Sequence, residues 1–316
     1  MVFNNCTDRS LAVAQQAAAQ TPTIALIPIA TDLPNGLAHV GTARRFAMDA
    51  ACALAGPGDH GVLLTTDADA VPADDWVDAC LGAVAEGADA VGGRLVGDRA
   101  EEAVLGPGFL RRAADQACYA ELSDRLASLI DPLPFDPWPR HRDHSGGSLA
   151  VRAKAYMAVG GLPVVPVRED LGLVSRLRAG GFRLRHAPGV SVSVSARLSG
   201  RASGGMADCL REWLAAEACG APHFVESPAE IVRRLRLRRA LRHLSLADAA
   251  SVREASALLG VGIRKMRELA AHATPQALIE SHAPDNPDPS CQCPVGEAIA
   301  LLEDMVESLD GVRDAA

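Results

Sequence analysis

Residues 62–76 read VLLTTDADAVPADDW. The aliphatic run 62–65 predicts a strand, and it leads directly into Asp67-Ala68-Asp69. In an extended chain residues two apart point to the same side, so both carboxylates are expected on one face at the end of an apolar strand. Pro72, Asp74 and Asp75 follow in the order of a helix start and predict a helix over 74–86. Ligands of open α/β sheets bind at the C-terminal strand ends, and two convergent carboxylates there suit Mg²⁺ or Mn²⁺ bridging a diphosphate. The plain alternative is a polar turn whose Asp side chains cap the next helix.

Outward from this stretch, residues 2–4, 24–29 and 90–96 read as further strands, and 11–19 and 40–54 as helices. A helical pattern over 99–129 ends at 131–139, where four prolines forbid regular helix and leave a linker or a flap over a site. A short element from Ser148 to Gly160 and Gly161 precedes a helix at 170–179, stopped by Gly180 and Gly181, and the alternation of Val190, Val192 and Val194 predicts a strand. After about residue 227 the pattern is helical and Arg-rich with no strand signal. The expectation is an α/β layered fold with a mostly parallel sheet over residues 1–226, followed by an α-helical region over 227–316.

Composition narrows the function classes. The chain has 316 residues, room for one large or two modest domains. Lys and Arg total 31 against 39 Asp and Glu, a formal charge of −8 that argues against electrostatic binding of nucleic acid or anionic membrane. Lys154 and Lys265 are the only lysines, a bias that biased codon usage explains most simply. No window approaches the roughly 18 apolar residues of a membrane helix, and residues 1–10 lack a signal-peptide pattern, so a cytoplasmic protein is expected. The eight cysteines are scattered, and reduced thiols are the default. Cys291-Gln292-Cys293 supplies only half of a zinc ligand set.

Other chemistry-bearing groups cluster in the second half. Glu169 and Asp170 open a helix whose Leu171, Val174 and Leu177 are expected to face the core, which would leave the acidic pair at an exposed helix mouth. Such a pair is equally what a helix N-terminus prefers electrostatically. Gly146, Gly147 and Ser148 lack side-chain bulk, so backbone amides there can approach a sugar or phosphate, or simply turn. Arg44 and Arg45, after Gly41, open the helix before the Asp67 strand, where a guanidinium fork fits phosphate oxygens. Arg197 and Arg201 lie in a Ser- and Gly-rich stretch that reads as a cationic lid or a plain loop.

Two blocks bring a family into view. DADAVPADDW, with Gly93 in the next strand, resembles the donor-site core of family 2 glycosyltransferases of the GT-A fold. SGGSLAVRAKAYMAVGGLPVVPVREDLGLVSRLRAGGFRLRHAPGV resembles that family's acceptor-side segment, and NNCTDRS near the start resembles its second-strand turn. The resemblance spans about residues 2–210. It implies an inverting enzyme using a nucleotide-sugar donor and a hydroxyl acceptor, with Asp69 and Asp67 on the metal and ribose, Asp8 reading the base, and Arg44, Gly146, Gly147, Arg197 and Arg201 on the donor. It implies Asp170 as general base, with Glu169 orienting the acceptor; base catalysis of this kind contributes about a hundredfold to ten-thousandfold.

The sequence also departs from that pattern. Many members carry a metal-binding His late in the strand after the acidic helix, where this chain has Ser191, Ser193 and Ser195, and His186 comes too early. The family normally places a strand and a helix ahead of NNCTDRS; without that central strand, unpaired sheet edges are expected. Two other readings stand beside the transferase. One is a catalytically silent nucleotide-sugar-binding or scaffolding subunit whose Arg-rich segment 231–242 docks a partner. The other is a nucleotidyltransferase, which would more naturally carry a Gly- and Lys-rich phosphate loop. The C-terminal helices are open to three uses: a surface between copies of the chain, a lid over the acceptor, or a stabilising cap.

Overall fold

The computed structural model describes residues 1–56, 58, 60–200, 204–285 and 290–314. In chain order its elements are β1 (Val2–Asn4), α1 (Ser10–Gln20), β2 (Ile29–Thr31), α2 (Val40–Ala55), β3 (Val62–Thr66), β4 (Ala70–Pro72), α3 (Trp76–Ala85), β5 (Ala90–Gly97), α4 (Arg99–Val104), α5 (Pro107–Ile130), β6 (Ser148–Arg152), α6 (Ala153–Ala158), α7 (Glu169–Ala179) and β7 (Leu184–Val194). There follow α8 (Met206–Ala218), β8 (Phe224–Glu226), α9 (Pro228–Arg242), α10 (Ala249–Leu259), α11 (Ile263–His272), α12 (Pro275–His282), β9 (Gln292–Pro294) and α13 (Val295–Asp314).

Among the described residues the strands form three sheets: β1-β2, β3-β6-β5-β7-β4 and β8-β9. The expectation of a mostly parallel sheet does not hold. In the five-stranded sheet β5 and β7 run parallel, while β3 with β6, β5 with β6, and β4 with β7 are antiparallel. The reason lies in the connections: β6 reaches its place through the long 131–147 segment, and β4 is a three-residue return after a tight turn, so neither is bound to the one direction that βαβ crossovers impose.

The sheet is covered on both faces, and the period of two in β6 shows how. Leu149 and Val151 join Met48, Cys52, Tyr156, Leu173 and Leu177 on one face, while Ala150 joins Trp76, Cys80 and Val84 of α3 on the other. Side chains this small and aliphatic suit a sheet buried on both sides. β3 is an edge strand of this sheet among the described residues, and β1-β2 is not hydrogen-bonded to it. Helix α2 packs on both β1 and β3 and so bridges the two sheets.

Three further corrections concern local structure. The strand expected at 24–29 begins only at Ile29, because Pro28 offers no donor and Ile24 and Ile27 lie exposed. The 99–129 helix is broken at Gly106, whose φ of 93° is left-handed, into α4 and α5. The helical C-terminal region does contain a strand, β9, which pairs antiparallel with β8 and ties the segment at 292–294 back to the chain just before α9. Ser227 caps α9 by accepting from the Glu230 amide, with Pro228 in the first turn.

Gly93 has a packing reason to be glycine. The β5–β7 register slips between the pairs Gly92–His186 and Arg94–Ser191, with Pro188 and Gly189 among the extra residues of β7. A Cβ on Gly93 would lie 2.0 Å from Ser148 Oγ and 2.7 Å from Val190 Cγ1. Ser148 is fully buried and accepts a 2.9 Å hydrogen bond from Trp76 Nε1. Gly93→Ala is therefore expected to cost about 1 to 3 kcal/mol by overpacking, read as a lower denaturant midpoint, and to shift the Trp76 fluorescence.

Candidate active site

The DxD stretch sits where β3 ends, but not in extended chain. Ala70 N donates to Asp67 O at 3.1 Å, so residues 67–70 form a turn between β3 and β4. The turn, rather than strand alternation, sets the directions of the two carboxylates. Each meets a different arginine, and both are about half exposed.

Arg44, from the first turns of α2, is the hub. Its Nη2 donates to Asp67 Oδ1 at 2.6 Å, its Nη1 to Thr65 Oγ1 at 2.6 Å and to the Gly146 carbonyl at 2.7 Å, and its Nε to Glu169 Oε1 at 3.1 Å. The Arg44 side chain is only 9 % exposed. Burial works against its charge, but Asp67 and Glu169 together outweigh that and raise the guanidinium's pKa above its usual value. One planar cation thus joins β3, the 146–147 loop and the start of α7. Gly146 makes room for it: a Cβ there would lie 2.6 Å from Arg44 Cζ.

Glu169 is turned inward and 4 % exposed, not held at a helix mouth. Helical periodicity explains this: residues 169, 173 and 177 lie in one i, i+4 row, and Leu173 and Leu177 are buried with it while Leu171 is 41 % exposed. The carboxylate that remains near the surface is Asp170. Its Oδ2 accepts from Gly146 N at 2.6 Å and its Oδ1 from Leu171 N at 2.7 Å. Arg168, just before the pair, has φ 59° and sits in the left-handed region, a strained conformation for a branched-free but bulky side chain.

Sequence reasoning placed Arg44, Asp67, Gly146, Gly147, Glu169 and Asp170 in a site, and the structure brings them together; an ideal Cβ on Gly147 would lie 3.2 Å from Asp67 Oδ2. Asp69 stands beside them and is bonded to Arg197 Nη2. Asp8 is exposed and accepts from Ser10 N at 2.9 Å at the start of α1. Arg201 lies outside the described residues. Thr65 went unnoticed, as did Asp143, whose Oδ2 accepts from Leu95 N at 3.1 Å. Thr65 was within reach of inference, since it stands two residues before Asp67 at the end of the same strand.

His186 belongs elsewhere. Its Nδ1 lies 2.8 Å from Asp136 Oδ2 and its Nε2 3.2 Å from His144 Nδ1, and the ring packs edge-on to His141. Burial, then the neighbouring His186, holds His144 down to about 4 and His141 likewise to about 4; Arg178 and Arg94 add to this, and Asp143, Asp170 and Asp285 oppose it. Unfolded histidine titrates near 6.5. Between roughly pH 6.5 and 4 the unfolded chain therefore binds more protons, and stability falls as the pH drops through that window. Urea midpoints across this range are expected to decline, and to decline less steeply in His144→Gln.

No group of three or more His, Cys, Asp or Glu placed to hold a metal occurs among the described residues. No helix is long and apolar enough to cross a membrane among the described residues. No protein-family model matches the chain. No curated protein matches it either. Among solved structures it is similar to a mannosyltransferase from Pyrobaculum calidifontis in complex with GDP-mannose and Mn²⁺, with 17 % identity, a TM-score of 0.43, and 98 % of this chain and 76 % of that one covered. A likeness at this level assigns no activity to the chain.

Proposed function

We propose that this chain is an inverting glycosyltransferase of the GT-A type, moving a sugar from a nucleoside-diphosphate sugar to a hydroxyl acceptor. The observation that supports it is the bridge made by Arg44, which joins the carboxylate turn after β3 to the loop and helix that carry Asp170. Donor-side and acceptor-side groups, more than 100 residues apart in sequence, share one guanidinium.

In this reading Asp67 and Asp69 would hold Mg²⁺ or Mn²⁺. Each carboxylate commits one oxygen to an arginine and keeps the other without a hydrogen bond among the described residues. Two carboxylates are an incomplete cage, which suits a cation whose remaining positions are filled by phosphate and water oxygens. A cation held by Asp67 and Asp69 would supply neutralisation of charge on a leaving diphosphate. Arg44 fixes the orientation of Asp67, and Glu169, by pairing with Arg44, keeps it from turning to solvent. Arg197, exposed and bonded to Asp69, is placed to move onto a diphosphate when a cation takes its partner. The Gly146 amide holds the Asp170 carboxylate; with about four lone-pair sites on the group, two amide bonds leave capacity to take the acceptor's proton. Asp8 reads the base, and residues 1–226 form the catalytic unit with 227–316 packed against it.

A thermal-shift panel of uridine, guanosine and thymidine diphosphates and their sugars, with and without Mn²⁺, tests donor binding, because a ligand of the folded state raises its stability by mass action. A Mn²⁺-dependent rise that Asp69→Ala abolishes is expected. The absence of a shift with every nucleotide contradicts the reading.

A further inference from the structure

Arg233, Arg236 and Arg239 of α9 are exposed, but a second row of its arginines is turned away from solvent. Arg234, Arg238 and Arg242 recur every four residues, so they form one stripe along the helix. They pair with Glu226, Asp285 and Asp131 respectively. Opposite them Arg178 of α7 binds Asp285 at 2.5 Å and Glu280 at 2.7 Å. The open-mouthed cavity between α5, α7, α9, α12 and the 131–144 segment has a volume of about 500 Å³, within the roughly 300 to 1,000 Å³ of small-molecule sites.

The chemistry of its wall selects a ligand class. Arginines and carboxylates line it in equal number, six of each. Of its three histidines, His141 and His144, held down to about 4, are neutral at pH 7, and His186 is engaged by Asp136 and His144. Guanidinium groups only donate and carboxylates only accept. A phosphate, which is negatively charged, would meet carboxylates as often as arginines; an ammonium, which only donates, would meet the reverse conflict. A hydroxyl both donates and accepts, so it satisfies adjacent members of an Arg–carboxylate pair at once. Phe224, 49 % exposed, lines the same cavity and offers an apolar face.

We propose that this cavity binds a neutral polyhydroxylated ligand, a short saccharide. Two of its lining residues are on segments that also carry candidate active-site groups: His144 lies two residues before Gly146, and Arg178 is on the helix whose first turn carries Asp170. If the transferase reading holds, the bound saccharide is the acceptor chain; the binding itself does not depend on that reading.

Calorimetry and saturation-transfer NMR with maltotriose, cellotriose and mannotriose, alongside inorganic phosphate and spermidine, test this on the whole chain. At least one saccharide is expected to bind at millimolar concentration, and about tenfold more weakly to Phe224→Ala. Phe224→Ala removes a half-exposed ring, and an unchanged circular-dichroism melt confirms that it folds. Three results overturn the proposal: no saccharide binds the folded protein, phosphate or spermidine binds in preference, or saccharide affinity is indifferent to Phe224→Ala. Failure of nucleotide binding in the Mn²⁺ panel leaves these outcomes untouched, so the two readings fail separately.

Discussion

Arg44→Met is expected to lower the stability of the protein by about 3 to 5 kcal/mol, the cost of breaking a buried ion pair from one side. Glu169 is 4 % exposed and would be left as a charge without its partner, while Asp67, about half exposed, would be rehydrated at little cost. Arg44→Lys should recover only part of the loss, because one ammonium cannot reach Asp67, Thr65, the Gly146 carbonyl and Glu169 from a single position. The double variant Arg44→Met with Glu169→Gln should be clearly more stable than Arg44→Met alone, since the stranded charge is gone. Urea unfolding of the parent, Arg44→Met, Glu169→Gln and the double variant forms a cycle that isolates the pair. Equal stability of Arg44→Met and the parent would show that the bridge does not hold these elements together.

The second large effect is on turnover. Asp170→Asn keeps a carbonyl oxygen to accept from the Gly146 amide but removes the base, so kcat/KM is expected to fall by about a hundredfold to ten-thousandfold with little change in the unfolding midpoint. Glu169→Gln separates the two neighbouring acids: its loss should appear mainly as instability, because its contact is with Arg44. A retained rate in Asp170→Asn would move the base elsewhere.

Much of the fold was readable because its signals are local. The aliphatic runs of β3 and β5, the glycine stops after α7 and the prolines after α5 each act within a few residues of where they stand. The direction of β6 was not readable, since nothing in SLAVR says which neighbour it will meet after the 131–147 segment. Glu169 was misread for a related reason: Val174 and Leu177 of the expected stripe are buried, but Leu171 is exposed, and Leu173 and Glu169 take the inward side of α7 in its place. The arginine stripe of α9 shows the same limit. The run RRLRLRR at 233–239 reads as a solvated face, as it is for Arg233, Arg236 and Arg239, until the carboxylates of Glu226 and Asp285 that receive Arg234 and Arg238 are in view. The candidate site itself was legible as pieces, and what the sequence could not show was the single arginine that joins them.

The most direct test of the proposed function is release of nucleoside diphosphate from its sugar, followed by chromatography for the parent protein and Asp170→Asn with Mn²⁺ and with a chelator. The account predicts metal-dependent release by the parent that falls at least about a hundredfold in Asp170→Asn. Release by neither protein from any donor that shifts the melting temperature would contradict it, and would leave a nucleotide-sugar binder in place of a transferase.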